Sequence, residues 1–244
     1  MALRPPAEAD LPGVPPMAGA AAAVQKVKVR VKICGVTEPA AALLAAELGA
    51  DYLGLNFWPG SPRCLAAGHA CEIAAAVRAS GAPVALVGVF VNQPRAEIEE
   101  IAAGVGLDLL QFSGEEDAAS VRPFAARAIK VFHGRGDPGL LALSGYEDAW
   151  GLLLDAPRGS VGSPWGGSGS SWDYGAAPLA RLAGRRVFLA GGLGPDNVRR
   201  VVAAVRPYAI DVCSRVESAP GIKDPRLLRR LFEEVNHGQA LASS

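Results

Sequence analysis

Residues 85–91, Ala85-Leu86-Val87-Gly88-Val89-Phe90-Val91, are apolar without a break. A strand with one solvated face would alternate apolar and polar, whereas a parallel strand covered on both faces reads as one continuous apolar run. Runs of this length recur on either side, beginning near Val27, Asp51, Val84, Leu107, Ala128, Trp150, Arg186 and Tyr208. The segments between them carry helical periodicity, as in Glu38 to Leu48, Ala67 to Ala79, Pro94 to Ala103 and Pro195 to Val205. Eight strand–helix units in about 210 residues give an α/β chain that closes as a single (β/α)8 TIM barrel, with its reactive groups where strands meet their following loops. A doubly wound open sheet is the alternative architecture.

Helix punctuation fits this division. Gly194-Pro195 and Asp224-Pro225 each place a capping residue ahead of a proline at the first helical position, where the missing N–H costs nothing. The barrel then spans residues 26–236 as one catalytic domain. Residues 1–25, rich in proline and alanine, read as a disordered leader, and residues 237–244 as a disordered tail.

Composition narrows the partners. Half of the 244 residues are hydrophobic, and 24 Lys and Arg balance 24 Asp and Glu. Such a chain can bury a large core, and it has no charge bias toward nucleic acid or an anionic membrane. No apolar run approaches the roughly 20 residues that cross a bilayer. The beginning of the chain, with Glu8, Asp10 and several prolines, makes a poor secretory signal. Cys34, Cys64, Cys71 and Cys213 lack metal-ligand spacing, which suits a reducing, cytoplasmic setting. The expected partner is a small phosphorylated metabolite, and the expected assembly a monomer or homodimer.

Four strand ends carry the chemistry. Gly191-Gly192 follows an apolar run and lets the backbone approach an anion closely, while the N–H groups of Ser214 and Arg215 can face it from the eighth strand. Loops after strands seven and eight commonly hold phosphate in such barrels; alternatively the glycines only make a turn and Ser214 only caps a helix. Asp155 ends the sixth strand, where burial favours the protonated carboxyl of a proton donor, unless it merely caps a loop. Cys34 ends the first strand, either as an inert buried thiol or as a base whose thiolate Lys32 or neighbouring amides favour. Asp211 reads as a second polar group at the barrel end or as a structural aspartate. Cys213 reads as core, and His69, His133 and His237 show no ligand spacing and fall outside the site.

Lys32-Ile33-Cys34-Gly35-Val36-Thr37, Gly54-Leu55-Asn56-Phe57 with Ser61-Pro62-Arg63, Val87 to Asn92, Leu189 to Leu193 with Asn197-Val198, and Val216-Glu217 with Pro220 to Asp224 lie along the chain in one order. From about Lys26 to Val235 the sequence resembles the phosphoribosylanthranilate isomerases. The resemblance implies a (β/α)8 enzyme of tryptophan biosynthesis that needs neither metal nor organic cofactor. Its reaction is the Amadori rearrangement of N-(5-phosphoribosyl)anthranilate to 1-(2-carboxyphenylamino)-1-deoxyribulose 5-phosphate. By that similarity Asp155 is the general acid, Cys34 the general base, Arg63 the holder of the anthranilate carboxylate, and Gly191, Gly192, Ser214 and Arg215 the phosphate grip.

Three positions depart from the family's pattern. Ser113 stands where histidine is usual, Ala156 where threonine is usual, and Arg215 where glycine is usual. Arg215 either adds charge to the phosphate grip or crowds it, if that position needs positive φ. The glycine-rich loop from Ala156 to Ser171 reads as a lid over the mouth or as a passive insertion. Two alternative functions go with these departures: a decayed isomerase barrel that binds phosphorylated ligands, and another sugar-phosphate isomerase or epimerase.

Overall fold

The computed structural model describes residues 28–133, 143–155, 182 and 184–242. Eight parallel strands close into a barrel in chain order: β1 (Arg30–Cys34), β2 (Tyr52–Asn56), β3 (Ala85–Phe90), β4 (Leu109–Phe112), β5 (Ala128–His133), β6 (Gly151–Asp155), β7 (Val187–Leu189) and β8 (Ala209–Val212). Pairing of β1 with β8 shuts the cylinder and rules out the open sheet. Around it run α1 (Pro39–Glu47), α2 (Ala67–Ala79), α3 (Arg95–Val105), the single turn α4 (Ala118–Val121), α5 (Val198–Val205) and α6 (Pro225–Leu241). A two-stranded ribbon, β9 (Glu217–Ala219) with β10 (Ile222–Lys223), lies between β8 and α6.

Alternation along each strand sorts the side chains into two cores. Val31, Ile33, Leu53, Leu55, Leu86 and Leu110 face outward and pack against the helices. Tyr52, Val87, Leu109, Ile129, Leu153 and Phe188 face inward and fill the barrel. This is why residues 85–91 are apolar throughout: both of their faces are buried. Each large aliphatic side chain so buried contributes about 1.5–3 kcal/mol.

The interior is polarised along its axis. At the strands' N-terminal ends Tyr52, Trp150, Phe188 and Tyr208 form an aromatic floor, with ring centroids 5.3–6.2 Å apart and the two tyrosine hydroxyls 3.0 Å apart. Above that floor the inward positions of β1 and β8 hold Lys32 and Asp211, which are register partners and form an ion pair at 2.9 Å. Lys32 is fully buried and Asp211 nearly so. Burial alone would lower the Lys32 ammonium's pKa, but Asp211 and Cys34 outweigh it and raise it above its ordinary range.

The helix boundaries test the punctuation. Asp224 caps α6 as expected, its Oδ1 accepting from the N–H groups of Arg226 at 2.7 Å and Leu227 at 3.2 Å. The other signal misplaces its helix, because α5 begins at Val198 and not at Pro195. The Asn197 side chain accepts from Gly194 N–H and donates to Gly192 O, both at 2.9 Å, and so stabilises a turn where a helix was expected. The tail reading also needs correction: α6 continues to Leu241, with Gly238 buried against α5. The leader, residues 1–25, and the candidate lid, residues 156–171, lie outside the described residues.

Replacing one member of the interior ion pair strands the other charge, which for buried pairs costs about 3–5 kcal/mol. Asp211→Asn should therefore lower the urea midpoint by that equivalent, and the double variant Lys32→Met/Asp211→Leu should recover most of it. A single variant that unfolds at the parental midpoint would show that the pair's charge is immaterial.

Candidate active site

The strands' C-terminal ends bring together what the sequence scatters. By the same alternation Cys34, Ser113, His133, Asp155 and Cys213 take inward positions one rung beyond the filled interior. Each strand contributes at its last residue or just past it, where the following loop frees the backbone and leaves side chains at a common mouth.

Cys34 is 9% exposed and lies beside Lys32. Its sulfur fits because β2 carries a glycine opposite: a Cβ on Gly54 would come within 2.9 Å of Cys34 Sγ and 3.1 Å of Lys32 Nζ. Cys213, read from the sequence as core, is a site residue, because its thiol shares a hydrogen bond with Cys34. That bond raises the Cys34 thiol well above its ordinary range, with burial adding to the effect. The same bond lowers Cys213 to about 7, helped by the positive charges of Lys223 and Arg63. The pairing thus favours the negative charge on Cys213 over Cys34.

Glu217 organises the cations around this pair. Arg63 Nε donates to its Oε1 at 2.8 Å and Arg63 Nη2 to its Oε2 at 2.6 Å, while Lys223 Nζ reaches Oε1 at 2.7 Å. Burial alone would raise the Glu217 carboxyl, but Arg63 and Lys223 outweigh it and hold it below its usual range. The β9–β10 ribbon exists to place these groups, and it is tied to the loop after β1 by the Thr37 hydroxyl, which donates to Gly221 O at 2.6 Å. Neither Glu217 nor Lys223 had a role assigned from sequence, although both lie in quoted motifs.

Asp155 sits across the mouth, its side chain 13% exposed and its Oδ2 3.4 Å from His133 Nδ1. His133, set aside in the sequence, is therefore beside the candidate acid. Asp155 also acts on Asp211, whose carboxyl is raised mainly by burial and further by that neighbouring charge, against the pull of Lys32. A continuous line of interacting groups thus runs from Cys34 through Lys32 and Asp211 to Asp155. Ser113 is buried, with its hydroxyl 3.0 Å from Gln111 Nε2.

The loops after β7 and β8 meet at the same end. Gly191 and Gly192 both have positive φ, +92° and +65°, which a residue with a Cβ adopts only under strain. Ser214 and Arg215 open a short 3-10 turn. Arg215 is not among the positive-φ residues, so its side chain meets no backbone strain, and it lies against Gly194 of the opposite loop.

A model of the N-(5'phosphoribosyl)anthranilate (PRA) isomerase family matches residues 31–234. The chain belongs to that family. An N-(5'-phosphoribosyl)anthranilate isomerase of Halorhodospira halophila is 42% identical over 214 residues, spanning 87% of this chain and 99% of that one. Among solved structures, the family member from Thermus thermophilus is 40% identical with a TM-score of 0.74, covering 85% of this chain and 98% of its own. Another phosphoribosylanthranilate isomerase, in complex with reduced 1-(o-carboxyphenylamino)-1-deoxyribulose 5-phosphate, is 33% identical with a TM-score of 0.73 over the same shares.

The thiol pair makes a measurable claim. In a Cys64→Ser/Cys71→Ser background, ultraviolet thiolate absorbance should rise with a midpoint near pH 7, where the Cys213 thiol is placed. Because the Lys223 charge favours the thiolate, Lys223→Met should move that midpoint upward. A midpoint that stays in the ordinary thiol range in the parent would contradict the charge placed on Cys213.

Proposed function

We propose that the protein is a phosphoribosylanthranilate isomerase in which Cys34 and Asp155 carry the proton transfers. The observation that carries this reading is the convergence of those two groups on one barrel mouth, linked through Lys32 and Asp211, in a chain of that family. The substrate class follows the family and the ligand held by the solved relative: a pentose phosphate joined to a carboxylated aromatic amine.

In the first step Asp155 gives its proton to the furanose ring oxygen as the C1–O bond breaks. The amine's lone pair forms the C1–N double bond of a Schiff base. The base must then take the proton from C2. Transfer of the shared proton from Cys34 to Cys213 leaves the thiolate on Cys34, which removes the C2 proton, and the released electron pair forms the enolamine. Loss of the C2 hydroxyl proton and gain of one at C1 gives the ketone. Asp155 and Cys34 supply the ring-oxygen and C2 transfers, and each positioned group is typically worth about 10²–10⁴ in rate.

Orientation comes from the ends of the substrate. Arg63 uses two of its five N–H donors on Glu217, which fixes the guanidinium plane and leaves the others for the anthranilate carboxylate. The backbone at Gly191 and Gly192, with Ser214 and Arg215 opposite, takes the phosphate. Holding both ends limits the sugar to the reactive pose. No helix among the described residues is long and apolar enough to cross a membrane. The metabolite substrate and the unpaired cysteines suit a cytoplasmic enzyme.

Loss of phosphoribosylanthranilate fluorescence with purified protein tests this reading. The parent should turn over, and Cys34→Ala and Asp155→Ala should each lose about 10²-fold or more in kcat. Turnover at the parental rate in both variants would refute the acid and base roles, and a parent that binds substrate without converting it would refute the function.

A further inference from the structure

His133 is the one imidazole at the mouth, and its two nitrogens are engaged differently. Nε2 lies 2.9 Å from the backbone oxygen of Ser113. A carbonyl oxygen only accepts, so Nε2 carries a hydrogen. In the neutral ring that leaves Nδ1 as an acceptor lone pair, and Nδ1 faces Asp155 Oδ2 at 3.4 Å. The side chains are 4% and 13% exposed, so little water separates the two atoms. A lone pair opposite a carboxylate in that setting is repulsive, and one proton between them turns the contact into either an imidazolium–carboxylate pair or an imidazole–carboxylic acid pair.

The sheet fixes this meeting. His133 and Asp155 are register partners on β5 and β6, and parallel register places both side chains on the inner face. The Ser113 carbonyl at the end of β4 then sets the ring's tilt. Among the described residues, two nearby charged pairs are Lys130 with Glu116 at 2.7 Å behind β4 and β5, and Asp211 with Lys32 at 2.9 Å.

We infer that His133 is a positioning residue that shares a proton with Asp155 and keeps the general acid loaded. The inference rests on the isomerase reading above. An ordinary carboxyl, with a pKa of about 3.9, has lost its proton at neutral pH, whereas ring opening needs the carboxylic acid. The imidazole–carboxylic acid form is the competent one, and the imidazolium–carboxylate form is its reservoir. Conversion between them moves one proton along a single contact and changes no net charge.

The test compares His133→Gln and His133→Ala with the parent. The Gln amide can still donate to the Ser113 carbonyl but cannot take up a proton. A purely structural role is therefore rescued by Gln, and a proton-sharing role is not. Both variants should lose about tenfold or more in kcat at neutral pH, with KM within about twofold of the parent. Parental kcat in His133→Gln would overturn the inference. A second measurement needs neither turnover nor a folded His133 variant: the imidazole 15N spectrum of the parent and of Asp155→Asn. The parent should show a protonated or proton-sharing Nδ1, and Asp155→Asn an Nδ1 that only accepts. Identical Nδ1 signals in the two proteins would overturn the proton sharing, whereas a parent that fails to isomerise substrate while showing the expected 15N difference would overturn only the isomerase reading.

Discussion

An ammonium sealed inside the barrel is the constraint from which the site is built. Lys32 has no route to water, so its charge is answered by Asp211 from the neighbouring strand and is felt by Cys34 just above it. Charges interact more strongly in such surroundings than in solvent, because little polarisable water screens them. The pair therefore does more than fill space between the aromatic floor and the mouth: its charges bear directly on the Cys34 thiol above it.

The division of labour along the barrel axis follows from strand alternation. Inward positions near the N-terminal ends are aromatic and seal the floor, those in the middle are mainly aliphatic around the Lys32–Asp211 pair, and those at the C-terminal ends are polar. Stability and chemistry thus occupy opposite ends of one interior. Membership of the isomerase family accords with this arrangement, but the likeness to relatives at 33–42% identity leaves room for local differences. His133 and Cys213 each stand beside a residue whose role the family resemblance implies.

What could be read from the chain, and what could not, divides on whether the signal is local. Continuous apolar runs betray strands covered on both faces, and a thiol or carboxyl at the end of such a run is visible without coordinates, as with Cys34 and Asp155. Partnership across strands is not local. That Lys32 meets Asp211, that Cys213 meets Cys34 and that His133 meets Asp155 all depend on register, which two separated apolar runs do not reveal. The same limit explains Gly194-Pro195: the motif permits a helix start, yet the Asn197 side chain, three positions later, bonds back to Gly194 N–H and Gly192 O and fixes a turn ahead of the helix.

The Glu217 carboxylate carries a different kind of consequence. It serves Arg63, proposed to hold the substrate's carboxylate, and Lys223, whose charge bears on the thiols. Recognition and acid–base chemistry therefore meet in one side chain, and substitutions at these positions will be epistatic, their combined effects departing from the sum of the single ones. Evolution toward a new aromatic amine could not adjust Arg63 in isolation, because each change there retunes the sulfur on the other side of the same carboxylate.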